Sequence, residues 1–439
     1  MMDAVLLSRL QFAVTVFFHF IFVPLTIGLG LLVALFETQY LRTKDAKWKK
    51  IACFWGTLFK INFAFGVVTG FAMTFQFGTN WSEYAEYMGD IFASPLALEA
   101  LLAFFMESTF FGIWISVSHK RALLKTVSMW LVCIGTTISS LWIIAANAFM
   151  QHPVGYELAA DGSKVLMSDF FAVLGNPYLW YMLIHTILAA YLLTGAFVIA
   201  VSGYHLMKGR DENVFRTSFK VAAVLFIIAA LLIPALGMTY GHYVAAVQPL
   251  KAAAMEAVWE GGSGVPMYLF SVPGSDGNII ELIGIPKVGS FLLTGSFDGT
   301  VSGLHDFDQI PPVAPTYFSF RGMIMLGMLF IAESLVGLYL SRREDAGQTK
   351  LSRAYFRFMM WTIPLPYIAI ALGWAVAEIG RQPWIVYGLL KTSDAVSATV
   401  PSAQILFTLV LLTVFYLILG VLDICLMRRA AVQGPEECD

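Results

Sequence analysis

Nine long apolar stretches constrain the fold of this chain more than any other feature of its sequence. They lie at approximately 10–37, 53–77, 94–118, 127–150, 177–204, 220–243, 316–340, 360–381 and 402–426. A helix of about 20 apolar residues crosses the bilayer core, so each stretch can cross once. Only 13% of the residues are charged, against about 25% in soluble domains. The sequence therefore predicts an all-α integral membrane protein with nine transmembrane helices in a single membrane domain, residues 1–439.

The loops between these stretches alternate in charge, and this alternation predicts the orientation. Of the 27 Lys and Arg residues, 19 lie in the segments 42–50, 119–126, 205–220, 341–357 and 427–439. The other loops, including the long Gly- and Pro-rich loop 244–315 between helices 6 and 7, are acidic or neutral. The positive-inside rule then places the N-terminus outside and the C-terminus in the cytoplasm. The formal charge of −2 argues against a nucleic-acid partner, which calls for a strong basic excess.

Five polar or sulfur-containing side chains share one depth in the predicted membrane helices. Counted at about 1.5 Å per residue, all five lie within about 15 Å of the outer surface. They are His19, Glu99, His185, Met323 and Glu378. Ionisable groups inside a membrane are costly and usually functional, and His and Met are axial ligands of haem iron. The layer therefore indicates a set of haem ligands near the outer face.

Each of these residues, taken alone, has a simpler interpretation. A single His in a membrane helix can serve only to bond a neighbouring helix, and Met323 alone is best explained as core packing. Glu99 alone can be paired or protonated. The shared depth on five separate helices favours the joint interpretation.

Two further groups extend the layer. Glu107 lies two turns inward from Glu99, and α-helical geometry predicts an 80° offset and about 12 Å between them. The two carboxylates are candidate stepping stones for protons, with hydroxyl links at Ser108 and Ser140, although Ser in membrane helices more often serves close packing. On helix 8, Trp374, Glu378 and Arg381 share one face, so Arg381 either neutralises Glu378 or binds a haem propionate.

An ordered set of motifs resembles subunit I of the cytochrome bd-type terminal quinol oxidases over essentially the full chain. The matching segments are Ser8-Arg9-Leu10-Gln11-Phe12, the His19 region through Val23-Pro24-Leu25-Thr26, Gln76-Phe77-Gly78-Thr79-Asn80-Trp81, Glu99 through Glu107-Ser108-Thr109, Phe320-Arg321-Gly322-Met323 and Gly380-Arg381-Gln382-Pro383-Trp384. The Gly-Arg-Gln-Pro-Trp segment is specific, and the order of the set is more specific still.

The resemblance implies roles for individual residues. His185 and Met323 would ligate a low-spin haem b, while His19 and Glu378 would serve two high-spin haems. One of these would be a haem b and the other a haem d or a further haem b. Glu99 and Glu107 would form a proton route, and Lys251 and Glu256 would contact the quinol in the outer loop. Arg9, Arg321 and Arg381 would lie near the haems, and Trp374 would lie on the electron path.

The resemblance also implies the activity and the partners. The chain would belong to an oxidase that oxidises membrane quinol and reduces O2 to water, generating a proton motive force without pumping. A second large membrane subunit (subunit II), a single-helix accessory subunit and membrane lipid would be its neighbours in a bacterial cytoplasmic (inner) membrane. The loop is of the short kind, and Gly322 replaces a branched residue common in the family. The sequence does not distinguish ubiquinol from menaquinol.

Three other functions are compatible with parts of this sequence. A haem–copper oxidase needs more deep histidines than His19 and His185. A haem-free ion or solute transporter would also bury carboxylates, and would predict broken helices at mid-membrane and no visible absorption. A purely structural subunit would not need the ionisable layer. The oxidase hypothesis accounts for the layer best.

Overall fold

The computed structural model describes residues 3–436, and within that range eight helices are long and apolar enough to span a membrane. A bent pair of helices makes a ninth span, so the predicted count of nine is confirmed. The helices are α1 (Ala4–Thr43), α2 (Ala46–Thr79), α3 (Ser82–Tyr87), α4 (Gly89–Leu98), α5 (Phe105–Ser116), α6 (Ala122–Gln151), α7 (Phe170–Leu174), α8 (Pro177–Met207), α9 (Glu212–Val247), α10 (Pro249–Glu256), α11 (Val288–Thr294), α12 (Val313–Ser341), α13 (Lys350–Thr362), α14 (Pro364–Ile379) and α15 (Ser402–Gln433).

The helix starts follow from local sequence. The Asp45 carboxylate accepts a hydrogen bond from the backbone N–H of Lys47 at 2.8 Å and caps α2. Asn176 does the same for Tyr178 at 3.0 Å, and Pro177 occupies the first position of α8, where its missing N–H costs nothing. Such caps let the helices run beyond the apolar stretches, as in α1, which has 40 residues.

The eighth span is not one straight helix from 360 to 381, as the sequence predicted. It consists of α13 and α14, which meet at an angle of 42°. The break falls at Ile363, directly before Pro364. Proline has no N–H to donate to the preceding turn, and its ring crowds that turn, so the helix bends there. Most of the predicted stretch is therefore α14, while α13 begins in the segment predicted as a basic loop.

The two ends of the bundle differ. We call the end with the short loops 44–45, 117–121, 208–211 and 342–349 the basic side, and the end with the segments 80–88, 152–176, 248–312 and 380–401 the long-loop side. The largest apolar core lies toward the basic side, where Phe36, Trp55 and Phe215 are almost fully buried. Burial of apolar side chains is thus concentrated in one half of the bundle. The predicted polar layer falls in the other half.

The long loop is folded rather than disordered. Helices α9 and α12 extend into the predicted range 244–315, so the loop proper is 248–312. It contains α10, α11, a 3₁₀ turn at Leu304–Asp306 and the strands β3 (Gly262–Ser263), β4 (Met267–Pro273), β5 (Asn278–Ile285) and β6 (Thr300–Val301). Strands β4 and β5 form an antiparallel hairpin, and β3 pairs with β6.

Two further antiparallel pairs lie in the other segments on the long-loop side. They are β1 (Tyr156–Leu158) with β2 (Val165–Met167), and β7 (Trp384–Val386) with β8 (Leu390–Lys391). A 3₁₀ turn at Thr392–Asp394 follows β8, and another, His119–Arg121, precedes α6 on the basic side.

Candidate functional site

Glu378 lies at the centre of a hydrogen-bond network on the long-loop side. Near the end of α14, its Oε1 accepts from Asn147 at 2.9 Å and from Gln151 at 3.3 Å, both on α6. Its other oxygen, Oε2, forms an ion pair with Arg381. Asn147 and Gln151 are four residues apart, so they present two amides on one face of α6. The carboxylate is thereby fixed and its charge is balanced.

Arg381 is buried, with a relative exposure of 2%. Its Nε donates to the carbonyl of Trp384 at 3.3 Å, and its Nη1 has no partner among the described residues. A buried, unsatisfied guanidinium N–H is costly. Arg381 therefore neutralises Glu378 and also keeps one donor free for an anionic group.

Lys251 connects the long loop to this network. It lies on α10 with a relative exposure of 2%, and its Nζ donates to Oε1 of Gln151 at 2.5 Å. Burial, followed by the charge of Arg381, holds the pKa of Lys251 well below its usual value. Lys251 is therefore not a solvated surface charge.

Glu256, at the other end of α10, is buried as well. Its Oε2 accepts from Nη2 of Arg321 at 2.5 Å, and the same Nη2 lies 3.1 Å from the carbonyl oxygen of Tyr268 in β4. Burial raises the pKa of Glu256, and the Arg321 charge opposes that increase. The ion pair ties α10 and the hairpin to α12, and Glu256 is no solvated charge either.

His19 lies in α1 against α2. Its Nδ1 is 3.1 Å from the hydroxyl of Thr69, which lies within hydrogen-bond distance of the carbonyl oxygens of Phe65 and Gly66. The threonine hydrogen is directed to those carbonyls, so the hydroxyl accepts from His19 Nδ1–H. This arrangement leaves the lone pair on Nε2, the form in which histidine binds a metal.

Met323 and His185 lie on different helices that both pack against α14. A Cβ at Gly373 of α14 would lie 3.1 Å from the Met323 sulfur, so glycine there permits the approach of α12. Gly322 has a similar role, because a Cβ would lie 2.9 Å from Cδ1 of Leu372. The His185 Nδ1 is buried without a partner among the described residues.

Glu99 and Glu107 both face α6. The hydroxyl of Ser139 donates to Oε1 of Glu99 at 2.8 Å, and a Cβ at Gly135 would lie 2.7 Å from Cγ of Glu107. Gly135 and Ser139 are four residues apart and share one face of α6. The two carboxylates are therefore aligned along α6, and the predicted 80° offset is wrong.

A π-helical segment explains this alignment. Residues Glu99–Phe104 form it between α4 and α5. A π-helical turn holds about one residue more than an α-helical turn. Eight residues that include such a turn rotate about as far as seven α-helical ones, or about 700°, which is close to two full turns. Nothing in the residue spacing signals this insertion.

The structure separates the two predicted hydroxyl links from the carboxylates. Ser140 donates to the carbonyl of Thr136 and Ser108 to that of Phe104, each within its own helix. Ser139, the neighbour of Ser140, makes the contact with Glu99 instead. The hydroxyl prediction therefore identified the correct turn of α6 but the wrong residue.

Trp374 and Arg9 complete the predicted set. The Trp374 ring packs edge-on against Phe20, with centroids 5.2 Å apart, so it contacts α1 directly beside His19. Arg9 lies half-buried near the start of α1 and makes no hydrogen bond or ion pair with the described residues. The structure thus connects Trp374 to the layer and leaves Arg9 apart from it.

Comparison with known proteins identifies the chain. The sequence profile of the family described as cytochrome bd terminal oxidase subunit I matches residues 7–435. The chain belongs to this family. The cytochrome bd ubiquinol oxidase subunit 1 of Bacillus subtilis (strain 168) is 42% identical over 451 residues, covering 99% of this chain and 95% of that protein.

Two further cytochrome bd proteins support the same assignment. The cytochrome bd-II ubiquinol oxidase subunit 1 of Escherichia coli (strain K12) is 35% identical, covering 99% of this chain and 98% of that protein. The structure of bd oxidase from Geobacillus thermodenitrificans superposes with a TM-score of 0.88 at 28% identity, and the match covers 99% of both chains. The predicted family is confirmed.

The donor set of this cytochrome bd chain fits haem rather than a metal bound by protein ligands alone. Within residues 3–436, no group of three or more His, Cys, Asp or Glu could hold a metal ion. What the structure offers is single axial donors, together with free buried N–H groups on Arg381 and on Arg321 Nε. Haem iron needs one or two axial ligands, and its propionates need cationic donors.

Four residues of this network were not singled out from the sequence: Thr69, Asn147, Ser139 and Gln151. Each is a neutral polar residue in a membrane helix, where many such residues serve packing alone. The signal that was available is the pair of amides four residues apart at the end of the fourth span.

Proposed function

We propose that this chain is the haem-containing subunit of a terminal respiratory oxidase that oxidises a membrane quinol and reduces O2 to water. The overall reaction is two quinols plus O2 giving two quinones and two waters. The observation that carries the proposal is the hydrogen-bond path from Lys251 through Gln151 to Glu378. It joins a buried site in the folded loop to a fixed carboxylate in the membrane domain.

Three haems fit the donors. A low-spin haem b would use His185 and Met323, and two high-spin haems would use His19 and Glu378, one of type b and the other of type d or b. When bound, the haems supply electron transfer from quinol and the reduction of oxygen. The protein positions the donors: Thr69 orients His19, and Arg381 holds Glu378 in place through an ion pair. Trp374 of α14 packs against Phe20, the neighbour of His19 in α1.

The loop 248–312 would bind the quinol through Lys251 and Glu256. Oxidation of a quinol releases two protons and two electrons, so its head group needs polar acceptors shielded from bulk water. Lys251 is buried with a lowered pKa, and Glu256 is buried with one oxygen not committed to Arg321. Both are therefore suited to contact the hydroxyl groups, and the protons would leave on the outer side.

Protons for water formation would come from the cytoplasm through Glu107 and then Glu99. The two carboxylates face the same side of α6, and about one turn of helix separates Gly135 from Ser139. Since quinol protons leave outside and these enter from inside, charge crosses the membrane without a pump.

The chain would work with partners. The relatives are named subunit 1, so we expect a second large subunit, with a single-helix accessory subunit, in the bacterial cytoplasmic membrane. The basic side would face the cytoplasm.

A visible spectrum of the purified protein tests the proposal directly. A haem-free transporter would show no absorption bands. Met323→Leu should convert the low-spin haem to high spin while expression is retained. Met325→Leu, two residues along α12 and 72% exposed, is the matched control and should leave the spectrum unchanged. A low-spin spectrum that survives Met323→Leu would show that the ligand assignment is wrong.

A further inference from the structure

A pocket on the basic side lies between the end of α8 and the helix α13. Its volume is about 280 Å³, and its lining comprises three cations, a tyrosine and two methionines: Lys208, Arg353, Arg357, Tyr204, Met207 and Met360. Arg353 and Arg357 are four residues apart on α13, so they project on one side of that helix. The pocket combines positive charge with apolar walls.

No carboxylate of the described residues neutralises this charge. In the described part of the chain, none of the three cations is in an ion pair. Three acidic residues near the pocket in sequence are held by other cations, in the pairs Lys50–Asp211, Arg216–Glu212 and Arg343–Asp345. Glu344 is in no ion pair with the described residues. Within residues 3–436, the three cations of the pocket therefore have no carboxylate partner in an ion pair.

Most of its donors are also free. Arg353 Nε donates to the carbonyl oxygen of Gly347 at 3.1 Å, which leaves both Nη groups available as donors. Lys208 Nζ donates one hydrogen bond to the hydroxyl of Tyr204 at 2.5 Å, and Arg357 donates to no described residue. Guanidinium groups bind phosphate oxygens in a bidentate manner. The free donors match a phosphate group better than a single-oxygen ligand.

The surroundings place the pocket at the height of lipid head groups. Helix α13 ends where the membrane-crossing helix α14 begins. Trp361 on α13 is 85% exposed and Phe358 is 46% exposed. Exposed aromatic side chains beside basic residues are typical of the membrane–water interface. Anionic lipids are enriched in the cytoplasmic leaflet and bind basic pockets between helices.

We propose that this pocket binds an anionic phospholipid of the cytoplasmic leaflet. The phosphate would accept from Arg353, Arg357 and Lys208, and the acyl chains would run along Met207, Met360 and Trp361. The requirement for both charge and apolar contact distinguishes a lipid from a free phosphate ion.

The test measures lipid retained by the purified oxidase. The complex is placed in phosphatidylcholine nanodiscs containing phosphatidylglycerol, and bound phosphatidylglycerol is counted by native mass spectrometry. Arg353→Gln with Arg357→Gln should weaken retention about tenfold, and Lys208→Gln should weaken it less. The matched control is Lys120→Gln with Arg121→Gln, which removes two exposed charges on the same side, outside the pocket. The control should retain lipid as the wild type does.

The results separate the possible ligands. Equal loss in the control would mean that general surface charge binds the lipid, and equal retention in all variants would exclude the pocket; either result overturns the proposal. Displacement of the lipid by millimolar inorganic phosphate, or equal binding of phosphatidylcholine, would overturn it too. Bound haem, read from the visible spectrum, reports that each variant is folded.

Discussion

Lys251 Nζ and Gln151 Oε1 are 2.5 Å apart, which joins the long loop to the membrane helix α6. Gln151 in turn donates through Nε2 to Glu378 at 3.3 Å, so one side chain touches both the proposed quinol site and a proposed haem ligand. A glutamine suits this position because its amide accepts on one atom and donates on the other.

Gln151→Leu should therefore disturb both sites at once. Leaving a buried donor unsatisfied costs about 1–3 kcal/mol, so we expect the quinol KM to rise about tenfold and the absorption of the haem proposed at Glu378 to shift. Asn147→Leu removes the contact with Glu378 at 2.9 Å and a longer one with Gln151 Nε2 at 3.4 Å, and it leaves the contact between Gln151 and Lys251 in place. This variant should shift the spectrum and leave the quinol KM near the wild-type value. Steady-state oxidation and absorption spectra measure the two effects. Two variants with indistinguishable profiles would contradict the bridging role of Gln151.

The Glu256–Arg321 pair should show strong coupling. Both side chains are largely buried, at 4% and 14% exposure, and removing one partner of a buried pair typically costs about 3–5 kcal/mol because the other charge is stranded. Glu256→Gln and Arg321→Met should each lower the thermal stability, and the double variant should lose less stability than the sum of the two single losses. A double-mutant cycle on the purified oxidase measures this coupling, and additive effects would show that the pair contributes little. The exposed pair Lys287–Asp298 is a control, for which we expect near-additivity.

Ser139 and Ser140 form an internal test of the proton route. Ser139→Ala removes the hydrogen bond to Glu99, whereas Ser140→Ala removes only a bond to its own helix. We expect the first to slow oxygen reduction several-fold, with haem reduction by quinol unaffected, and the second to have no effect. Stopped-flow reoxidation of the reduced enzyme measures both rates. A larger effect of Ser140→Ala than of Ser139→Ala would instead support the sequence prediction that Ser140 is the hydroxyl link.

The sequence predicted the membrane fold, and it singled out the ionisable residues of the proposed site, for a physical reason. Crossing a bilayer demands long apolar segments, and the cost of burying charge makes Glu99, Glu107 and Glu378 conspicuous. Both properties can be read one residue at a time. The nine spans and the ionisable residues of the layer were therefore accessible from the sequence.

The remaining features depend on contacts between distant segments. The bridging role of Gln151 depends on the contact between α10 and α6, and nothing in the local sequence marks a neutral amide as functional. The π-helical segment at Glu99–Phe104 changes which residues share a face, and the cause lies in helix packing rather than in a breaker residue. The choice of Ser139 over Ser140 follows directly from that change.

Gly135 offers a steric test of the same route. A Cβ there would lie 2.7 Å from Cγ of Glu107, and overpacking of this kind costs about 1–3 kcal/mol. Gly135→Ala should displace the Glu107 side chain and slow oxygen reduction while the haem content stays constant. Gly112→Ala on α5, where nothing lies within 4 Å of the new Cβ, should leave the rate unchanged and stabilise the helix slightly. Equal rates of oxygen reduction in both variants would show that Glu107 does not deliver protons.

The final prediction concerns pH and the order of the long loop. His305 contacts two carboxylates, with Nδ1 at 2.8 Å from Glu260 and Nε2 at 3.0 Å from Asp276. Hydrogen bonds to Glu260 and Asp276 raise the pKa of His305 above its ordinary value of 6.5. Only protonated histidine donates from both nitrogens, so the bridge requires the charged form.

The sign of the effect follows from linkage. A raised pKa in the folded loop means that the bridge stabilises the loop fully below pH 6.5 and that this stabilisation is lost as the pH rises through the raised value. Asp276 lies in the turn of the β4–β5 hairpin, so hydrogen exchange in residues 267–285, corrected for intrinsic rates, should accelerate at alkaline pH. His305→Gln should exchange fast at both pH values, and Lys287→Gln, which breaks the pair with Asp298, should keep the wild-type pH dependence. Exchange in the wild-type hairpin that does not change across this range would show that His305 stays neutral and the bridge does not form.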